Sequence, residues 1–191
     1  FTPSFQKTVL DKSEIMSIHK FSQRVCQVGR DASIMLGRRP IPSSVTWFIT
    51  ERCNCKCAHC FVFNRLRTLR HDLPEADVIK VLESAKRTLR SLIFTGGEPF
   101  VYKGFESVVL FASKRLRLVH LGISTNGIMG NSLISLLNKI NNQPLHITIQ
   151  SSLDGPEILH DRLRGVDRVF VSVREMIKSV NCLKQTSRLK I

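Results

Sequence analysis

The sequence holds one tryptophan, one tyrosine and only 15 acidic side chains against 29 lysines and arginines. The shortage of acid leaves a formal net charge of +14, a field that draws in phosphates, acidic peptides or anionic membranes. The basic residues are nonetheless scattered, as in Arg65, Arg67, Arg70, Lys86, Arg87, Arg90, Lys114, Arg115 and Arg117, with no long basic run and no interleaved series of Tyr or Trp. A nucleic-acid-binding module normally shows such a stripe, so nucleic acid is not the expected partner. Long apolar runs are missing too: none approaches the ~18 residues of a membrane span, and the N-terminus lacks the basic start and apolar core of a signal peptide. No membrane partner is expected, and the default location is cytoplasmic and reducing. The chain opens on Phe1 rather than Met and stops at "SRLKI" as an apolar run begins, which reads as a fragment.

What is present is the balance of a folding domain. Apolar residues make up 42% and charged residues 23% of 191, enough for one core of ordinary size. Residues 1–43 read as an N-terminal extension and linker. Asp11 and Glu14 resemble a capping box ahead of a loosely amphipathic helix through Ile15, Ile18 and Val25, and the two prolines of "GRRPIPSS" then exclude a helix. Residues 44–191 read as the core domain. There "SVTWFIT", "SLIF", "LVHLGIST" and "LHITIQSSL" read as nearly continuous apolar strands. Between and after them, "LPEADVIKVLESAKRTL", "GFESVVLFASKRL", "NSLISLLNKIN" and "VFVSVREMIKSVNCLKQ" have helical spacing; the first places Val78, Val81, Leu82, Ala85 and Leu89 on one face. Strand and helix alternate about four times, which predicts an α/β fold with parallel strands covered by helices. Chemistry in such folds sits at the carboxyl ends of the strands. The segments found there are "ERCNCKCAHC", "TGGEP", "NG" after Ser124 and Thr125, and "DGP" after Ser151 and Ser152, so the conspicuous motifs share one rim.

Four of the six cysteines crowd into "TERCNCKCAHCFVF", Thr50 to Phe63. A reducing compartment and strained short loops argue against disulfides. A structural zinc site usually draws on two separated ligand pairs, and the second pair is absent, since only Cys26 and Cys182 remain. Thiolates also hold iron–sulfur clusters, which suit ligands spread along a short loop. Three cysteine ligands on a [4Fe–4S] cluster would leave one iron open for chemistry.

The spacing Cys53-xxx-Cys57-xx-Cys60 directly after a first strand, followed in order by "TGGEP", "STNG" and "SLDGPEILHDRLRG", resembles the radical S-adenosylmethionine (radical SAM) enzymes over about residues 44–191. The resemblance implies a TIM-like (β/α) barrel, here partial and truncated to about four βα units, with a fifth strand beginning near Leu189. It implies that Cys53, Cys57 and Cys60 hold a [4Fe–4S] cluster whose fourth iron is chelated by SAM, and that Cys55 is the odd cysteine, a small buried hydrophobe or a competing thiol. Reductive cleavage of SAM then gives a 5′-deoxyadenosyl radical that takes hydrogen from the substrate, with a reductant such as flavodoxin or ferredoxin supplying the electron. No general base is called for.

By the same resemblance Gly96 and Gly97 contact the SAM amino group with Glu98 nearby, and Ser124, Thr125 or Asn126 reaches SAM or substrate. Ser152 matches a SAM-contacting serine, and Arg164 rather than His160 pairs with the SAM carboxylate. His59 packs around SAM and Phe61 shields the adenine or the cluster. Each motif also has a plainer reading: "GG", "STNG" and "DGP" as turns or helix caps, and "HDRLRG" as a surface helix start. "SLDGPEILHDRLRG" is most like enzymes that modify ribosomal peptides or mature sulfatases, many with a C-terminal SPASM extension. Molybdenum cofactor cyclase shares related motifs, which leaves a small-molecule substrate as an alternative. Outside the family, a structural zinc protein or a basic nucleic-acid-binding module are the competing classes.

Overall fold

Four short runs rich in β-branched and aromatic residues pair edge to edge in chain order. They are β1 (Ser44–Thr50), β2 (Ser91–Gly96), β3 (His120–Thr125) and β4 (His146–Ser151), all parallel in a sheet of order β1-β2-β3-β4. The computed structural model describes residues 42–60, 72–186 and 190–191. The expected N-terminal extension with its Asp11–Glu14 capping box lies outside the described residues, as does Phe61. The connecting helices are α1 (Glu75–Ser84), α2 (Phe105–Arg115), α3 (Gly130–Lys139), α4 (Glu157–Arg164) and α5 (Val169–Thr186), with a 3-10 turn at Pro99–Val101.

Side chains alternate across each strand, and the two faces of the sheet differ in kind. Leu92, Phe94, Leu121, Ile123 and Ile147 form a buried face that meets Val78, Leu82, Phe105, Val108, Leu133 and Leu137 from the helices. Burying an aliphatic side chain of this size is worth about 1.5–3 kcal/mol, so this layer is the main source of stability. The opposite face carries Thr46 and Phe48 on β1, His120 and Ser124 on β3, and His146, Thr148 and Gln150 on β4, all half-buried or exposed. The strands are therefore less uniformly apolar than expected, because one face lines an open concavity instead of a core. Polar bonds knit that face together: Ser91 Oγ lies 3.0 Å from His120 Nδ1, and His120 Nε2 lies 2.9 Å from Thr148 Oγ1.

Two sequence expectations shift. α1 ends at Ser84 instead of running to Leu89, and Val81, placed on the apolar stripe, is 53% exposed. The buried stripe runs through Val78 and Leu82, at the i, i+4 spacing that puts Val81 on its edge. α4 is a whole helix where only a helix start was considered; Pro156 precedes its first turn and Gly165, left-handed at φ 65, ends it. Lys190 forms an isolated parallel bridge with His146, and Ile147 N–H donates to Lys190 O at 2.7 Å at the β4 edge of the four-stranded sheet.

Candidate functional site

The cysteine loop leaves the end of β1 and is held from both sides. On one side the β2 turn extends the sheet pairing: Gly97 N–H donates to Thr50 O at 2.8 Å and Glu98 N–H to Arg52 O at 2.9 Å. The approach is so close that a Cβ on Gly97 would sit 2.2 Å from Arg52 O, and one on Gly96, at φ 129, would sit 2.3 Å from Thr50 O. The Arg52 guanidinium pairs with Asp72 and also donates to Val101 O at 3.2 Å, while Thr50 Oγ1 donates to Asp72 Oδ1 at 2.7 Å. On the other side the last carbonyls of α4 accept from the loop, Lys56 N–H to Arg164 O at 2.9 Å and Ala58 N–H to Leu163 O at 2.8 Å. The orphan carbonyls of a helix end thus serve as anchors for the loop.

Clamped in this way, Cys53, Cys55, Cys57 and Cys60 all line one cavity of about 380 Å³, within the ordinary range for small-molecule sites. His59, Gly96, Gly97, Ser124, Asn126, Ser152 and Arg164 line it as well, so ten of the twelve residues expected from sequence come together. The exceptions are Phe61, outside the described residues, and Glu98. Phe48, Thr95 and Gln150 also line the cavity and were not expected. Strand alternation was the signal for them, since Phe48 and Thr95 are register partners on the face that carries Ser124 and Gln150.

Glu98 is fully buried beneath the cavity and works as a brace between strands. Its carboxylate accepts from Thr125 Oγ1 at 2.9 Å, from Asn126 N–H at 2.7 Å and from Phe100 N–H at 3.4 Å. Burial pushes its carboxyl up to about 7, against the pull of those donors. A folded value raised above the unfolded one makes a contribution that is complete at low pH and lost as pH rises through about 7. Wild type is therefore expected to lose stability relative to Glu98→Gln between about pH 4.5 and 7, by up to about 3 kcal/mol. Urea denaturation of both proteins at pH 5 and pH 8 measures this; parallel pH profiles would rule it out.

The brace fixes the "STNG" turn over the thiols. Asn126 Oδ1 accepts from Ile128 N–H at 3.0 Å, and its Nδ2 donates to Asn54 Oδ1 at 2.6 Å and lies 3.8 Å from Cys53 Sγ. The "HDRLRG" residues divide their tasks. Asp161 accepts from the N–H groups of Arg168 (2.6 Å) and Phe170 (2.8 Å), and so secures the start of α5. His160 is fully buried and accepts from Asp154 N–H at 3.2 Å. Arg164 makes a two-pronged pair with Asp154, Nε to Oδ2 at 2.7 Å and Nη2 to Oδ1 at 3.0 Å, and points Nη1 to within 3.6 Å of Cys57 Sγ. Burial alone would lower the guanidinium, but Asp154 and Cys57 outweigh it and keep Arg164 charged.

The four thiols are not equivalent. Hydrogen bonds from Cys55, including its backbone N–H at 3.4 Å, pull the Cys53 thiol down to about 6 against the effect of burial. The same contact and burial push Cys55 up, so Cys53 ionises more readily than Cys55, which is 4% exposed. Among the described residues no three His, Cys, Asp or Glu side chains converge closely enough for a single metal ion.

The pattern that defines the Radical SAM superfamily matches residues 47–183. The chain belongs to the radical SAM superfamily. Molybdenum cofactor biosynthesis protein 1 of Dictyostelium discoideum is 30% identical over 149 residues, 71% of this chain and 23% of that protein. Sporulation killing factor maturation protein SkfB of Bacillus subtilis is 28% identical over 79% of this chain and 34% of its own length, and the subtilosin biosynthesis protein AlbA of the same species is 30% identical over 73% and 30%. The chain thus spans about a quarter to two fifths of the curated relatives it matches. Among solved structures, Streptococcus suis SuiB bound to S-adenosylmethionine aligns with TM-score 0.60 at 21% identity, over 91% of this chain and 39% of that one. That likeness establishes the α/β architecture shared with radical SAM enzymes. No helix among the described residues is long and apolar enough to cross a membrane.

Proposed function

We propose that the chain is the core of a radical SAM enzyme in which Cys53, Cys57 and Cys60 hold a [4Fe–4S] cluster and leave one iron for S-adenosylmethionine. The observation that carries this is the convergence of motifs from four consecutive strand ends on one thiol-lined cavity. When bound, the two cofactors supply one-electron cleavage of SAM and hydrogen abstraction from a substrate. The protein's part is to hold and orient. Gly96 and Gly97 keep the cavity wall to bare backbone, which admits the methionine end of SAM closely. Ser124, Asn126 and Ser152 offer hydroxyl and amide groups to its polar atoms, Arg164 lines the wall as a positive charge with its fork held by Asp154, and His59 stands at the mouth with half its side chain exposed. Glu98 contributes by fixing Asn126, and Phe61 is the proposed shield for adenine or cluster. Closure of the sheet into a TIM-like barrel, a cytoplasmic location and a small electron carrier such as flavodoxin or ferredoxin as reductant belong to the same reading.

The proposed substrate is a peptide or protein side chain, as for SPASM-type enzymes. The "SLDGPEILHDRLRG" motif and the similarity to SkfB and AlbA support it. The similarity to the Dictyostelium molybdenum cofactor protein and to GTP 3′,8-cyclases favours a small molecule as the second reading. Anaerobic incubation with iron and sulfide tests the cofactor assignment. A brown protein with broad visible absorption and about four irons per chain is expected. One tightly held zinc with no iron uptake would contradict it.

A further inference from the structure

Arg164 is the most heavily committed charged group at the site. Its side chain is 10% exposed, its fork is taken up by Asp154, and Asp154 is in turn fixed through its backbone N–H, which donates to Nδ1 of the buried His160 at 3.2 Å. The backbone around it is fixed as well, because Arg164 O and Leu163 O accept from the loop at Lys56 and Ala58. A Cβ on the following Gly165 would come within 2.8 Å of Lys56 O, so α4 and the cysteine loop are in backbone contact there. One guanidinium nitrogen, Nη1, remains, and it faces Cys57 Sγ at 3.6 Å. A group needed only to meet a mobile ligand would not require this much support. A fixed cation aimed at one ligating sulfur is an outer-sphere hydrogen-bond donor, and such donors set the reduction potentials of iron–sulfur clusters.

We propose that Arg164, held by Asp154, is a positioning residue that donates an N–H···S hydrogen bond to the Cys57 thiolate and raises the reduction potential of the cluster bound there. The inference rests on the cluster assignment above. Adding an electron increases the negative charge on the cluster sulfurs. A charged donor 3.6 Å from one of them therefore stabilises the reduced state more than the oxidised one. Asp154 offsets part of the positive charge, so the surviving effect is local to Cys57. Net charge elsewhere on α4, such as that of the exposed Arg162, does not share it.

The test is a redox titration of the reconstituted chain followed by EPR, with iron content measured in parallel. Arg164→Lys keeps the charge and removes the fork. The paired change Asp154→Asn with Arg164→Met removes both charges together, so no carboxylate is left unpartnered. Both are expected to keep wild-type iron and to titrate at a lower potential, by about tenfold in the one-electron equilibrium, or about 59 mV. Arg162→Gln is expected to titrate with wild type. Midpoints equal to wild type in both Arg164 variants overturn the proposal. So does loss of iron from both while wild type retains it, which would make Arg164 a brace for the loop and nothing more. Failure of wild type itself to take up iron would instead remove the cluster assignment.

Discussion

Replacing Cys53, Cys57 or Cys60 singly by alanine is expected to abolish iron and sulfide uptake, whereas Cys55→Ala retains the visible absorption and iron content of wild type. The four thiols stand within one short loop and line the same cavity, so position alone does not separate them. Their burial does: Cys55 is 4% exposed, whereas Cys53, Cys57 and Cys60 are only partly covered. Cys53 therefore ionises more readily than Cys55. Metal binding requires the thiolate, so the group that is costliest to ionise is the poorest ligand. Cys57 has the Arg164 cation beside it, and Cys60 is half-exposed at the cavity rim. Iron assay and absorption spectra of the four variants after identical anaerobic reconstitution decide the matter. Iron lost from Cys55→Ala and kept by Cys60→Ala would show that the ligand set has been drawn wrongly.

Gly97→Ala is expected to destabilise the fold by about 3 kcal/mol or more and to lower iron uptake with it. The added Cβ would meet Arg52 O at 2.2 Å, Arg52 C at 2.6 Å and Glu51 O at 2.9 Å, all backbone atoms that no side-chain rotation can clear. Overpacking a core typically costs about 1–3 kcal/mol. Here the clash also separates the Gly97–Thr50 and Glu98–Arg52 hydrogen bonds, each worth about 1 kcal/mol. Gly130→Ala serves as the comparison, because its Cβ would meet the Met176 side chain at 3.0 Å and needs only a small adjustment. Urea midpoints of the two variants measure the difference. Equal, small losses would mean that the β2 turn can move away from the cysteine loop without cost.

The four strands, the covering helices and the rim on which the motifs gather were legible in the sequence because each rests on local information. Apolar runs with turn residues behind them mark strand ends, and the cysteines crowded within "CNCKCAHC" mark the loop after the first of them. What the residues of that rim do for one another was not legible. "GGE" reads as a ligand-facing turn, yet Glu98 points down into the protein, where Thr125 and Asn126 from the next strand receive it. "HDRLRG" reads as a surface helix start or an anion clamp. In the fold it supplies a buried histidine, a cap for α5 and an arginine already paired with Asp154. Both depend on which strand lies beside which, and no window of sequence contains that. Val81 shows the same limit on a smaller scale: it has helical spacing with its neighbours, but the width of the contact leaves it outside.

In the proposed function, one iron of a three-cysteine cluster is open to S-adenosylmethionine beside Gly96, Asn126 and Ser152. The most direct test is the EPR spectrum of the dithionite-reduced, reconstituted chain recorded before and after addition of SAM. A reduced-cluster signal whose g values change on SAM addition is expected, with no such change when adenosine, which lacks the methionine amino and carboxylate groups, is added at the same concentration. A cluster signal unaltered by saturating SAM would contradict it.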